Sequence, residues 1–217
     1  MIHRKVSRAL LAACLLSTTL LAQPARAADE YVSEVWFDVL FDENGQAKDI
    51  KPVNESEHPA GFWTNLTQRL QSAKIPPRTQ DGKPATFRTG VVFSLLVNKS
   101  GNDGKGSVTL KGLDMRPLPI KRYAAGYPKD VERTGGWTGE VMATCTIDKS
   151  GACTDVVVEA LPGMPESVRK WAKISAEGWQ FKPQELNGQP QVSKLSIPFT
   201  LNTLDDKPRD FRDIRKL

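Results

Sequence analysis

The sequence predicts an α+β fold of two small modules, each a three-stranded antiparallel sheet with a helix packed on one face. Two observations carry this. The chain matches itself without a gap at a shift of 106 residues: Glu34-Val35 falls on Glu140-Val141, Asp42 and Gly45 on Asp148 and Gly151, Asp49 on Asp155, and Pro59 on Pro165. Further along, Pro77 falls on Pro183, Asp81-Gly82 on Asn187-Gly188, and Phe93 and Leu95 on Phe199 and Leu201. Many of these residues stand where the backbone demands a particular type, which argues for duplication rather than chance. Within each copy, apolar residues recur first with period two, then with helical period, then with period two again.

Each copy opens on an alternating strand, with Val35, Phe37, Val39 and Phe41 on one face in the first and Val141, Ala143, Cys145 and Ile147 in the second. Asp42-Glu43-Asn44-Gly45 and Asp148-Lys149-Ser150-Gly151 then read as type I turns whose glycine takes the left-handed position. A return strand follows through Ile50 and Val53, or through 156–158. Pro165 suits the start of a helix, and Val168, Trp171, Ala172, Ala176 and Trp179 follow at helical spacing; Phe62, Leu66, Leu70 and Ala73 do so in the first copy. Pro76-Pro77 and Pro183 close the helices. Asp81-Gly82 and Asn187-Gly188 turn the chain into a last strand, where Leu195, Ile197, Phe199 and Leu201 alternate inward in copy two.

The organisation that follows is 1–27 as a signal peptide, 28–98 as a diverged first module, 99–122 as a glycine-rich linker, 123–203 as the second module and 204–217 as a charged tail. Within the linker, Val108, Leu110 and Leu113 suit an added strand. Arg4, Lys5 and Arg8 precede an apolar run from Ala9 to Leu21, and Ala25-Arg26-Ala27 offers a cleavage site between Ala27 and Ala28. The run falls short of the roughly 20 residues of a membrane span. A retained anchor and a lipid-modified Cys14 are the alternatives to cleavage and a periplasmic location. The signal holds Arg4, Lys5, Arg8 and Arg26 and no acidic residue, so the mature chain is nearly neutral and nothing in its charge points to nucleic acid.

Catalytic and metal chemistry find little to work with. His58 is the single histidine of the mature chain, set in a loop without a partnering nucleophile, and metal-ligand spacing is absent. No catalytic residue, metal ligand or cofactor is assigned, and no enzyme is expected. Cys145 and Cys153 flank the second hairpin on adjacent strands; a structural disulfide is the first reading, two buried thiols the second, and a redox site the last, since the spacing is not Cys-x-x-Cys. Val39 and Ala47 stand there in the first copy. Trp171 and Trp179 read as core residues, whereas Trp36 and Trp63 suit either an inter-module contact or a partner site.

Tyr127-Pro128, Gly139-Glu140-Val141, Thr146-Ile147-Asp148, Gly151, Thr154-Asp155-Val156, Phe181-Lys182-Pro183 and Asn187-Gly188 together resemble the C-terminal domain of TonB, with the first copy a fainter match. Such domains bind an extended segment of an outer-membrane transporter by adding it to a sheet edge. The resemblance therefore implies an envelope protein or extended peptide as partner, held without enzymatic activity. The candidate edge is the last strand of copy two, Leu195, Ser196, Ile197, Pro198 and Phe199, because a proline is tolerated best on an edge. Full members of the family carry a membrane anchor and a proline-rich spacer, neither of which is legible here. The alternatives are a structural or homodimerising envelope protein and, if the N-terminal segment is retained, an energy transducer for outer-membrane transport.

Overall fold

The computed structural model describes residues 29–53, 60–99, 106–133 and 136–202. The signal segment with Cys14, Ala27 and Ala28, the loop around His58 and the charged tail lie outside the described residues. The described chain is α+β, with antiparallel sheets throughout.

The first half runs through β1 (Asp29–Phe41), β2 (Ala47–Pro52), α1 (Ala60–Ser72), the short hairpin β3 (Arg78–Gln80) and β4 (Lys83–Ala85), and β5 (Phe87–Lys99). β6 (Gly106–Arg116), β7 (Leu118–Lys121) and α2 (Lys129–Arg133) connect it to the second half. There follow β8 (Thr138–Ile147), β9 (Cys153–Val158), α3 (Glu166–Glu177), β10 (Gln180–Lys182), the hairpin β11 (Glu185–Leu186) and β12 (Gln189–Pro190), and β13 (Ser193–Asn202).

The duplication extends to strand register. Val35 pairs with Phe93 on β1 and β5, and Val141 pairs with Phe199 on β8 and β13; each residue has moved by the same shift. Both first hairpins carry a bulge just before the turn. Asp42 Oδ1 accepts from the backbone N–H groups of Asn44 and Gln46, and Asp148 Oδ1 from those of Ser150 and Ala152, which fixes the two turns alike. Hydrogen bonding holds both carboxyls below the usual carboxylate range, led by the Gln46 N–H at Asp42 and the Ser150 hydroxyl at Asp148.

The glycines of these turns are forced by two constraints at once. Gly45 and Gly151 have φ of +77° and +85°, a region that other residues resist. Their N–H groups close the turns onto the Asp42 and Asp148 carbonyls, while their carbonyls accept from Ile75 and Phe181, the residues that follow the helices. A Cβ on Gly45 would lie 2.0 Å from the Ile75 carbonyl oxygen, and one on Gly151 1.8 Å from that of Phe181. The turn thus clamps the end of the helix segment to the sheet in both halves.

Two separate cores result. In the first half, Phe37 meets Trp63 of α1 at 5.4 Å and Phe93 at 5.7 Å, both edge to face. In the second, Ala143 replaces Phe37, and Trp171 of α3 fills the space against Phe199 at 5.7 Å. Each helix thus buries one tryptophan, at non-equivalent positions, and in the second half Trp179, just past the helix, adds to the packing on Phe199. Each large side chain so buried contributes roughly 1.5–3 kcal/mol. Trp63, expected from the sequence at an inter-module contact or a partner site, is instead part of the first core.

The expected helix pattern needs one correction: α3 ends at Glu177, so Trp179 lies beyond it and packs on Phe181 and Phe199, with its indole N–H donating to the Tyr123 carbonyl. Gly178 caps the helix, and a larger residue there would meet the Tyr123 ring, 2.2 Å from an added Cβ.

The sheets also depart from two equal three-stranded units. The second half keeps the expected three, in the order β13-β8-β9, but the first forms a six-stranded sheet around β5-β1-β2. β6, carrying Val108, Leu110 and Leu113 as expected, pairs antiparallel along β5 from Gly90 to Lys99. β11 from the second half then pairs with β5 at Phe87 and Arg88. Lys182 donates to Asp38 at 2.6 Å and Gln184 to the Thr89 hydroxyl at 2.8 Å, so the halves interlock through the second half's hairpin. Arg88 joins the same cluster, bonded to Asp38 and Asp49; the Asp49 hydrogen bond raises its pKa, and Arg88 in turn lowers that of Asp49.

Cys145 and Cys153 are bonded, with Sγ atoms 2.13 Å and Cα atoms 5.6 Å apart across β8 and β9. Replacing the pair by the first half's residues, Cys145→Val with Cys153→Ala, is expected to leave the fold intact and lower stability by about 2–3 kcal/mol, read by urea unfolding. In the same assay Gly151→Ala is expected to cost more than about 3 kcal/mol, from strain and overlap together. Gly188→Ala, at φ +72° but with open space around it, is expected to cost only about 1 kcal/mol.

Candidate functional site

The five residues expected at an edge, Leu195, Ser196, Ile197, Pro198 and Phe199, all lie on β13, which among the described residues pairs only with β8. Ile197 and Phe199 are buried in the second core, whereas Ser196 and Pro198 are exposed on the opposite face.

The direction of the free backbone groups follows from neighbouring bonds. The Met142 carbonyl accepts from Glu159 on the β9 side, away from β13. Met142 pairs with Pro198, so this is a pair without mutual hydrogen bonds, and the backbone of Pro198 points to the open edge. By alternation Ser196 and Thr200 point the same way, offering two N–H groups and three carbonyls. Pro198 leaves one donor position blank.

The first half has the same geometry with the edge filled. The Trp36 carbonyl accepts from Val53 on the β2 side, Trp36 pairs with Val92, and Val92 turns its backbone to β6, opposite Asp114. Where β5 accepts an added antiparallel strand it carries a β-branched residue. At the matching place β13 carries proline and, among the described residues, has no added strand.

A cavity of about 230 Å³ adjoins the start of this edge, lined from the second half by Trp179, Phe181 and residues 195–198, from the first by Glu34 and Trp36, and from the connecting segment by Arg116, Pro119 and Arg122. Trp36 lies on the face of β1 away from the first core, against Val92 and Leu118. The inter-module contact is thus where Trp36 sits. Arg116 stacks on its ring at 4.9 Å, and Arg122 on that of Trp179 at 5.6 Å. Glu34 joins both arginines, at 2.6 Å from Arg116 and 3.7 Å from Arg122.

Arg116, Arg122 and Pro119 of this site were not singled out from the sequence. They sit in and after the segment read as linker, and no periodicity marks a residue that a later strand brings beside β13. Compared with protein-family models, with curated proteins and with solved structures, the chain finds no match in any of the three, so the reading of its site rests on its own geometry.

Proposed function

We propose that this chain is a periplasmic, non-enzymatic binding module resembling the C-terminal domain of TonB, which holds an extended segment of an envelope protein as an added strand on β13. One observation carries the reading: β5 already bears such a strand, β6, in the register that the duplication maps onto β13. An open edge of this length is a liability unless it is blunted or used. Pro198 blunts it at a single position and leaves the flanking donors and acceptors of Ser196 and Thr200 for a partner. The energy-transducing alternative requires an N-terminal segment held in the membrane.

A second reading, self-association, is supported by Tyr31, Val108, Leu110 and Leu113, which are exposed on the face of the first sheet beyond α1, beside the open side of β6. Sedimentation of the exported protein separates the two, since this reading requires dimers without added peptide.

A fluorescein-capped, amidated octapeptide of alternating threonine and valine serves as the probe for strand addition, with binding read by anisotropy and the amides of Ser196 and Thr200 followed by NMR. Pro198→Val is expected to tighten binding up to about tenfold by restoring one donor, and Thr200→Pro to weaken it by a similar factor. Probe binding that ignores both substitutions, or no binding, overturns the assignment to β13. Export is checked separately: the chain recovered from the periplasmic fraction of a Gram-negative host is expected to have an intact mass beginning at Ala28. A lipid-sized increment on Cys14 or an uncleaved membrane-bound chain would replace the soluble form by a tethered one.

A further inference from the structure

The cavity beside β13 carries more polar structure than backbone pairing needs. Trp36 is only 8% exposed, yet its indole N–H has no hydrogen-bond partner among the described residues, and neither has Nε of Arg116. Neither atom has surface open to the cavity, so these two donors belong to its packed wall, and recognition falls to the outer guanidinium groups. The charges lining the cavity are two cations, Arg116 and Arg122, against one anion, Glu34. Asp114 lies 3.9 Å from Arg116 Nε, but its side chain is 69% exposed and is not part of the wall. Both guanidinium groups are held by stacking on tryptophan, which orients their donors before any ligand arrives.

The remaining walls are apolar, from Trp179, Phe181, Ile197 and Pro119. At about 230 Å³ the space is below the roughly 300–1,000 Å³ typical of small-molecule sites, and suits one side chain. A short apolar stem ending in a carboxylate matches the apolar walls and the excess positive charge together.

Its place along an added strand follows from the duplication. On β5, Gly90 pairs with Arg116 near the C-terminal end of β6, and the position matching Gly90 on β13 is Ser196, which lines the cavity. We propose that this cavity seats the side chain of a glutamate near the C-terminal end of the segment added to β13, with Arg122 and Arg116 as carboxylate partners. The proposal rests on strand addition at β13 and names the residue type that the edge selects.

The test uses the exported full chain and the threonine–valine octapeptides, with a single glutamate or glutamine placed at each position in turn. At one position in the C-terminal half, the glutamate peptide is expected to bind at least about tenfold more tightly than its glutamine counterpart. Arg122→Gln is expected to bring that ratio close to one. Glu34→Gln removes the competing carboxylate and is expected to tighten glutamate peptides. Circular dichroism melts check that each variant is folded.

Equal affinity for glutamate and glutamine at every position overturns the proposal while leaving strand addition intact, and an unchanged ratio in folded Arg122→Gln does the same. Binding of no peptide overturns both. A dimer that forms without peptide and is lost in Arg122→Gln would assign the cavity to a second copy of the chain and overturn the glutamate reading.

Discussion

The architecture depends on how β5 satisfies its outer edge. An antiparallel sheet presents unpaired N–H and C=O groups at each margin, and β5 covers nearly all of its own with two different strands, β6 along Gly90 to Lys99 and β11 at Phe87 and Arg88. The first is supplied by the segment between the halves and the second by the other half. One strand therefore brings the linker across the sheet and ties the second half down, with Lys182 on Asp38 and Gln184 on Thr89 beside the joint. On the matching strand, β13, the same edge has no pairing strand among the described residues.

Duplication preserved backbone chemistry more strictly than side-chain identity. The Asp-x-x-Gly turns keep the same hydrogen bonds and the same contact between the glycine and the chain after the helix, because left-handed φ and a carbonyl closer than any Cβ allows leave no substitute. The cores between these fixed points were free to exchange volume. Phe37 and Trp63 do in one half what Trp171 and Phe199 do in the other, and where one half has Val39 and Ala47 the other has the bonded pair Cys145 and Cys153.

Juxtaposition of two diverged halves also created the cavity, to which each contributes a tryptophan, while the segment between them supplies both arginines. Trp36 is turned away from its own core by strand alternation, and Trp179 stands just past the end of α3, so neither belongs fully to the interior. The arginines that stack on them are anchored by Glu34, a residue whose counterpart Glu140 lies on β8 in the other half.

The sequence by itself determined the repeat, the three main strands and one helix of each copy, and the turns, because those depend on local rules: hydrophobic period, glycine at positive φ, proline at element ends. It also placed Cys145 beside Cys153 and marked β13 through Pro198, since a strand of known period with a proline in it has few places to go. Tertiary structure alone decided that β6 and β11 both pair with β5, that Trp63 is interior and Trp36 lies at the joint between the halves, and that Arg116 and Arg122 reach a strand some eighty residues further along the chain. Those outcomes arise from pairing between distant segments, whose partners are selected by edge satisfaction and shape rather than by any pattern confined to one stretch of sequence.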